Sequence, residues 1–332
     1  MTDMNKCRPG FTCQVVSFLL CLPLSITVSA ESGAARAQEL INKMTQAARS
    51  RNYEGVFIYR YGNSMDTMRI IHKADNGGER QRLVSLTGSA REVIRNNESV
   101  TCIFPDDRAV LVEKSRSRKL VFKLPQPIES VSRYYTFSTS GQDRIAGRDS
   151  WTVNIMPRDQ YRYGYRFWID QDSHLLLKSE LRDQDDSMLE QILFTQLDIH
   201  DDIPDTMLEP ALTGKDYTWY KSDVNDKPSK PGNKGWRVTW VPDGFSMKTH
   251  QSQTMPMSRE PVEHIIYTDG IAVVSVFIEK MDHDVSETIG SINRGGISTF
   301  TRHENGFQIT AVGEVPRTTV EKMARSVLAD NY

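Results

Sequence analysis

The sequence predicts an α+β protein with two domains, a large antiparallel one followed by a smaller antiparallel one. Three observations predict this fold class. Short β-branched and aromatic runs recur between turn signals along most of the chain, which is typical of antiparallel meanders. A charged stretch rich in proline and glycine interrupts these runs once. Helical spacing of apolar residues occurs mainly near the two ends of the chain, which favours helices that cover sheets.

Residues 1–30 are predicted to be a secretory signal peptide. Lys6 and Arg8 give a basic start, and a largely apolar run follows over residues 11–28. Val28-Ser29-Ala30 offers small or medium side chains at the usual cleavage positions. An uncleaved membrane anchor is the alternative, but polar residues and a proline interrupt the apolar run.

Cleavage there leaves 302 residues with 39 basic and 42 acidic side chains, a net charge of −3. This charge argues against a nucleic-acid partner, which needs a basic face. Of the four cysteines only Cys102 remains, and a lone cysteine closes no intrachain disulfide. Its apolar neighbours Val100 and Ile103 predict a buried thiol in a strand. Core burial must therefore hold this exported protein together.

The first predicted elements are a helix and a meander. Apolar residues recur at helical spacing over residues 37–48, so this segment is a short amphipathic helix that needs a partner surface. Gly62-Asn63-Ser64 and Asn76-Gly77-Gly78 are turn signals, and a short helix is predicted around residues 128–135. Runs with β propensity predict strands at residues 53–61, 65–73, 80–86, 91–96, 100–104, 109–113 and 188–199.

Residues 144–181 carry the most informative pattern, a set of strands joined by short turns. Period two over residues 161–169 predicts a strand with one dry and one wet face. The dry face carries Tyr161, Tyr163, Tyr165, Phe167 and Ile169. The wet face carries Arg162, Gly164, Arg166 and Trp168. An aromatic dry face is a surface for covering or for binding an apolar ligand.

A polar segment and a second α+β unit complete the chain. Residues 221–235 have almost no apolar side chains, which is typical of a linker. Beyond it the strongest hairpin signal is Thr268-Asp269-Gly270. A helix is predicted to begin at Pro316, with a capping box formed by Thr318 and Glu321. Its apolar face is Val320, Met323, Ala324, Val327 and Leu328. Strands are predicted at residues 236–241, 245–249, 262–267, 271–280, 297–302 and 308–312.

Motifs of catalysis and of metal or cofactor binding are missing from the sequence. It has no Gly-x-Ser-x-Gly, His-Glu-x-x-His, phosphate-binding glycine loop or Cys-x-x-Cys. The seven histidines are dispersed, with no two at ligand spacing on one element. We therefore predict a protein that is not an enzyme and needs no metal or cofactor. A catalytic group assembled from distant positions would leave no local motif, so an enzyme stays an alternative.

Seven short stretches stand out together. They are Gly88-Ser89-Ala90-Arg91-Glu92-Val93, Tyr134-Tyr135, Arg144-Ile145-Ala146-Gly147-Arg148, residues 163–170, Trp240-Val241-Pro242-Asp243-Gly244-Phe245, Tyr267-Thr268-Asp269-Gly270 and Gly313-Glu314-Val315-Pro316. Each is weak alone, but their order and spacing resemble the MucB/RseB family, the periplasmic negative regulators of the envelope-stress sigma factor sigma-E. The resemblance covers nearly the whole chain after residue 30.

The resemblance implies a fold and a partner. By similarity, residues 31–215 form an open antiparallel half-barrel with covering helices, like the lipoprotein carriers LolA and LolB. Residues 216–234 are then a linker, and residues 235–332 a small C-terminal domain beside the first. The family binds the periplasmic part of a membrane anti-sigma factor of RseA or MucA type and shields it from proteolysis, which restrains sigma-E. The resemblance also implies that lipid or lipopolysaccharide loosens the complex.

An open barrel with a dry interior suits acyl chains, which need apolar walls and little directional chemistry. The candidate wall residues for a lipid are Phe57, Tyr59, Tyr161, Tyr163, Tyr165, Phe167, Leu193 and Leu197. The alternative is that these side chains only pack under the helices, as most buried apolar residues do.

Three function classes remain open at this point: a regulatory binding protein gated by lipid, a lipid or lipoprotein carrier, and an enzyme of unrecognised type. The small domain discriminates against the carrier, because a single-domain carrier does not need it. Convergent titratable groups in a pocket would favour the enzyme. With its signal peptide and this resemblance, the protein is expected in the periplasm, soluble after cleavage and without a nucleic-acid partner.

Overall fold

The computed structural model describes residues 27–97, 99–114, 124–211, 216–221, 235–254, 261–281 and 290–329. Nearly all of the predicted signal peptide lies outside these residues. Residues 222–234 of the predicted linker also lie outside them. In the described ranges, no helix has the length and apolar content to cross a membrane. We call residues 27–221 the large lobe and residues 235–329 the small lobe.

The large lobe is one open antiparallel sheet, as predicted. Its strands are β1 (Asn52–Tyr61), β2 (Ser64–Asp75), β3 (Gly78–Ser85), β4 (Glu92–Asn96), β5 (Ser99–Phe104), β6 (Ala109–Lys114), β7 (Tyr135–Ile145), β8 (Arg148–Pro157), β9 (Gly164–Asp170), β10 (Leu176–Arg182), β11 (Met188–His200) and β12 (Thr218–Lys221). They lie in the order β12-β6-β5-β4-β3-β2-β1-β11-β10-β9-β8-β7, with edge strands at opposite ends. Only β12 pairs in parallel, with β6.

Helix α1 (Thr27–Ser50) covers the inner face of this sheet. Leu40, Ile41 and Met44 are buried in one cluster with side chains of β7, β8 and β9. One turn later, Ala47 joins a second cluster that contains Phe57 of β1. The predicted amphipathic helix is thus confirmed, and its partner surface is the sheet. Burial of such a stripe supplies most of a surface helix's stability.

The described residues of the small lobe form a six-stranded antiparallel sheet and one helix. The sheet consists of β14 (Ser246–Thr254), β15 (Pro261–Thr268), β16 (Val273–Lys280), β17 (Gly290–Arg294), β18 (Ile297–Glu304) and β19 (Phe307–Gly313). Its order is β14-β15-β16-β19-β18-β17. Helix α2 (Arg317–Arg325) packs Val320, Met323 and Ala324 onto it. Two further short strands, β13 (Trp236–Val238) and β20 (Val327–Ala329), pair with each other.

Three predictions about the helices are wrong in detail. The last helix ends at Arg325, and residues 327–329 form β20 instead, so Val327 and Leu328 are not on its apolar face. The capping box of Thr318 and Glu321 does not form, because Pro316 is the N-cap and no side chain caps the helix. The predicted helix at residues 128–135 is a 3₁₀ turn, Ile128–Val131, and after the turn at residues 132–134 β7 begins at Tyr135.

Three other predictions about extent or burial also need correction. The strand expected at residues 236–241 stops at Val238. Cys102 is half-buried rather than buried. Within the predicted linker, Thr218–Lys221 adds an edge strand to β6, so the large sheet continues past residue 215.

Candidate functional site: the junction between the two lobes

The aromatic stretch singled out in the sequence lies where the two lobes meet. Strand β9 begins at Gly164, so residues 158–163 form a turn and not the start of a strand. This turn, together with the inner face of β1, β9 and β11, contacts the small lobe. We call this contact region the junction.

Arg162 is the centre of the junction. Its side chain is fully buried, although the alternating pattern places it on the wet face. The turn before β9 breaks that alternation and directs the guanidinium into the small lobe. There Nε donates to Asp269 Oδ2 at 2.5 Å, and the other nitrogens donate to Asp159 and to the Asp243 carbonyl oxygen. The rings of Tyr134, Tyr135 and Phe245 surround it at 4.9–5.8 Å.

Asp269 belongs to the hairpin turn between β15 and β16 and is held from both lobes. Its Oδ1 accepts hydrogen bonds from the backbone N–H groups of Ile271 and Ala272, at 2.9 and 2.8 Å. Its Oδ2 accepts from Arg162 and, at 2.9 Å, from the Tyr135 hydroxyl of the large lobe. Burial and then the Asp269 charge raise the pKa of Tyr135 well above its usual value, so this hydroxyl stays a donor. Each nitrogen of Arg162 and each carboxylate oxygen of Asp269 thus has a partner, and removing one member of such a buried pair is strongly destabilising.

A row of tyrosines extends the junction along the large lobe. Lys322 donates to the Tyr161 hydroxyl at 2.8 Å, and Thr319 donates to the Tyr161 carbonyl oxygen at 2.9 Å. The Tyr161 ring meets Trp240 edge-on at 5.2 Å. The Tyr165 hydroxyl donates to the carboxylate of Glu314. Each tyrosine thus presents its ring to apolar groups and its hydroxyl to the small lobe.

The tip of the β17–β18 hairpin forms a second contact. The Glu190 carboxylate accepts from the Gly296 backbone N–H and from the Tyr59 hydroxyl, both at 2.8 Å. Arg294 lies over the Tyr61 ring at 5.2 Å. A Cβ atom on Gly296 would lie 2.1 Å from a methyl group of Leu181, so a larger residue there would require the Leu181 side chain to move.

The structure divides the eight candidate wall residues into separate groups. Phe57 and Leu197 are buried in the cluster that reaches Ala47 of α1, while Tyr165 and Phe167 are buried in the neighbouring cluster under the same helix. Tyr59, Tyr161 and Tyr163 are half-buried, and the hydroxyls of Tyr59 and Tyr161 have partners at the junction.

Leu193 does not share a face with the other candidates. A β-bulge at Thr195 shifts the register of β11 against β1, so Phe57 pairs with Phe194. An inserted residue moves every following side chain to the other face. Phe194 therefore fills the cluster with Phe57 and Leu197, and Leu193, which is half-buried, points to the outer face beside Lys178.

The outer face of β9 is drier than predicted. Trp168 is only 6% exposed, because Lys178 covers its ring at 3.9 Å and its indole N–H donates to Asp143 at 3.0 Å. Aliphatic stems of charged residues can cover aromatic surface in this way.

Two other features of the described residues are not candidate sites. A surface cleft of about 560 Å³ lies at the turn between β2 and β3, lined by Asp75, Asn76, Gly77, Arg80 and Asn96. Its polar lining does not suit an acyl chain, and none of the eight candidates lines it. No group of three or more His, Cys, Asp or Glu side chains in the described part of the chain is placed to hold a metal ion.

Sequence reasoning missed the charged residues of the junction. Asp269 and Glu314 lie within motifs that stood out, but their local sequence does not show what they contact. The alternating pattern of its neighbours predicts Arg162 on the wet face of the strand. The only available signal was a charged residue flanked by tyrosines and next to a turn, which is too common to identify a buried ion pair.

Comparisons with known proteins agree with this architecture. The family model "MucB/RseB N-terminal domain" matches residues 36–212, and "MucB/RseB C-terminal domain" matches residues 230–328. The sigma factor AlgU regulatory protein MucB of Pseudomonas aeruginosa is 29% identical, over 95% of this chain and 97% of its own. The sigma-E factor regulatory protein RseB of Haemophilus influenzae is 27% identical, over 98% and 99%.

The fold is also similar to a solved structure, the Pseudomonas aeruginosa MucA/MucB complex. The TM-score is 0.71 at 26% sequence identity, and the match covers 90% of this chain and 100% of the other. The likeness therefore includes both lobes. On the two family matches, which together span most of the sequence, the chain belongs to the MucB/RseB family.

Proposed function

We propose that this protein binds the periplasmic segment of a membrane anti-sigma factor of RseA or MucA type, shields it from proteolysis and so restrains sigma-E. The observation that carries the proposal is the likeness to MucB in a MucA/MucB complex, which extends over both lobes. The buried pair Arg162–Asp269 links the two lobes, so a binding surface formed by both would be held in one arrangement.

Location and chain division belong to the same proposal. The pattern of residues 1–30 supports export to the periplasm, where such a segment is exposed. We infer a large domain over residues 31–215, a linker over 216–234 and a small domain over 235–332, with Thr218–Lys221 lending an edge strand to the first. Limited proteolysis near residues 227–234 should give two stable fragments, because this segment has few apolar anchors. Resistance there would contradict the linker.

A protease-protection assay tests the binding function. Purified residues 31–332 are added to the periplasmic segment of an anti-sigma factor, and cleavage of the segment by a stress protease is timed. We expect slower cleavage that saturates with added protein. Arg162→Met should weaken protection, because it removes the ion pair that links the lobes. Glu39→Gln is the control and should not weaken it, because the Glu39 carboxyl on α1 is 60% exposed. Unchanged cleavage at saturating protein would refute the proposal.

Lipid or lipopolysaccharide is proposed to act at the inner face of the large sheet and to loosen the complex. The supporting observation is that the inner-face tyrosines also hold the small lobe. Tyr161 binds Lys322, Tyr165 binds Glu314, and Tyr59 is linked to Gly296 through Glu190. An acyl chain that needs these rings competes with the small lobe for them. A simple carrier, the alternative function, would have no use for such contacts.

Photolabelling tests the lipid site without changing the protein. A photoactivatable acyl chain is crosslinked, and the labelled residues are identified by mass spectrometry. We expect label on the inner face, at Tyr59, Tyr163 and their neighbours. Leu193, half-buried on the outer face of the same sheet, is the internal control. Equal labelling of both faces would show non-specific adsorption and remove the lipid step from the proposal.

A further inference from the structure

Two carboxyl groups from different lobes meet at Gly296. Glu190 lies on β11 of the large lobe, and Glu314 follows β19 of the small lobe. The Gly296 N–H donates to Glu190 at 2.8 Å. A Cβ on Gly296 would lie 3.3 Å from Oε1 of Glu190 and 3.4 Å from Cγ of Glu314. One glycine therefore touches both acidic side chains at the junction.

No cation of the described residues pairs with these carboxyl groups. The groups that face them are tyrosines: Tyr165 of β9 donates to Glu314, and Tyr59 of β1 donates to Glu190. Tyr163, in the turn before β9, lies in the field of both carboxylates and of Asp183. A nearby guanidinium, that of Arg294, stacks on the Tyr61 ring instead.

Physical chemistry disfavours two ionised carboxylates in such a place. A carboxylate removed from water without a cation is unstable, and a second negative charge beside it adds repulsion. Burial, with a smaller contribution from Glu190, raises the pKa of Glu314 to about 7 against an opposing hydrogen bond from Tyr165. The Glu314 carboxyl therefore holds a proton at mildly acidic pH while the lobes are together.

We propose that the Glu190–Glu314 pair is a proton-dependent latch, which holds the two lobes together when Glu314 is protonated and loosens as the medium becomes alkaline. When the lobes separate, water reaches Glu314 and the proton leaves. Glu190 then keeps its hydrogen bond from the Tyr59 hydroxyl but loses the one from the Gly296 N–H. The tyrosines that face these carboxyl groups do not titrate in this range, since burial raises the pKa values of Tyr59, Tyr163 and Tyr165 above their usual value.

The direction and size of the effect follow from proton linkage. The pKa of Glu314 is about 7 with the lobes docked and near 4.5, its ordinary value, when they are apart. The protonated Glu314 therefore stabilises docking fully below pH 4.5, and this stabilisation is lost as pH rises through about 7. From pH 5.5 to pH 8 the docking constant falls about 30-fold by these values. Because the Glu314 side chain is partly exposed, we expect about tenfold.

A distance measurement on residues 31–332, in which Cys102 is the single cysteine, tests the latch. Spin labels are placed at the exposed residues Met65 of the large lobe and Met247 of the small lobe, in a Cys102→Ser background. Urea is set so that half of the molecules are undocked at pH 7, while circular dichroism reports that both lobes remain folded. We expect the docked fraction to rise at pH 5.5 and to fall at pH 8.

Two variants sharpen the result. Glu314→Gln resembles the protonated acid and should stay docked at both pH values. Glu304→Gln, whose carboxyl is 43% exposed in the same lobe, should behave like the wild type. A docked fraction independent of pH, the same pH dependence in Glu314→Gln, or undocking only together with unfolding would each overturn the latch. No anti-sigma segment is present, so the result does not depend on the proposed function.

Discussion

Replacing Arg162 by methionine tests the reasoning about the junction most directly. The variant keeps an unbranched side chain of similar reach and removes the buried guanidinium. Asp269 then loses its cation but keeps three donors, the Tyr135 hydroxyl and the backbone N–H groups of Ile271 and Ala272. The small lobe loses its strongest polar tie to the turn before β9.

The expected loss of stability follows from the groups that each variant leaves without a partner. Removing one partner of a buried ion pair destabilises a protein by about 3–5 kcal/mol. The three remaining donors to Asp269 offset part of this, so we expect about 3 kcal/mol for Arg162→Met. Asp269→Asn should cost about 2–3 kcal/mol, because the amide NH2 must face donors to which one Asp269 oxygen now accepts, although Arg162 keeps Asp159. The double variant should cost less than the sum of the two, since the residues are in contact.

Urea unfolding followed by tryptophan fluorescence and circular dichroism measures these differences. Glu39→Gln is the matched control, because it breaks only an exposed ion pair with Lys43 and should leave the unfolding curve where the wild-type curve lies. We also expect the small lobe of Arg162→Met to unfold separately from the large one. An Arg162→Met curve that coincides with the wild-type curve would refute a desolvated guanidinium at the junction.

Three further predictions concern single positions. Gly244→Ala should destabilise the small lobe by more than about 1 kcal/mol, measured by urea unfolding, because φ is +88° and the new Cβ would lie 2.3 Å from the Tyr134 ring; wild-type stability would contradict this. Phe300→Ala should cost about 3–5 kcal/mol in the same assay, since the ring is 1% exposed in the small core; a loss below about 1 kcal/mol would contradict close packing there. Burial alone would raise the pKa of Asp170, but hydrogen bonds from Arg148 and Ser173 outweigh it and lower the pKa below 3.8. This stabilisation is present above pH 3.8 and is lost as pH falls through the lower value, so Asp170→Asn should flatten the acid limb of stability against pH; an unchanged limb would contradict it.

Local patterns predicted the elements whose environment is set by their own sequence. The hairpin at Thr268-Asp269-Gly270 and the strands on either side of it follow from turn chemistry and alternation, and the structure has them. The apolar stripe on α1 predicted an apolar partner surface, and the inner face of the sheet is that surface. Such features depend on neighbours a few residues away, so a single sequence contains the information.

Features that depend on the other lobe or on a change of register could not be predicted. Arg162 is buried because residues from far along the chain enclose it, and its own neighbours give no sign of this. The prediction that Leu193 and Leu197 line the same wall requires the strand to alternate without interruption between them. One extra residue at Thr195 reverses the assignment, and no residue type marks that bulge.

The aromatic side chains of β9 and of the turn before it serve both the core of the large lobe and the contact with the small lobe. This decides how a ligand could act. Tyr165 and Phe167 of β9 contribute to the core under α1, while the hydroxyls of Tyr161, in the turn before β9, and of Tyr165 bind Lys322 and Glu314 of the small lobe. A ligand that only filled space between the sheet and α1 would leave these bonds intact and would not reach the small lobe. A ligand that displaced the tyrosines would break them together and leave the carboxyl of Glu314 without its donor. Regulation by an apolar ligand therefore requires movement of the tyrosines themselves, and the junction is where that movement becomes a change in lobe arrangement.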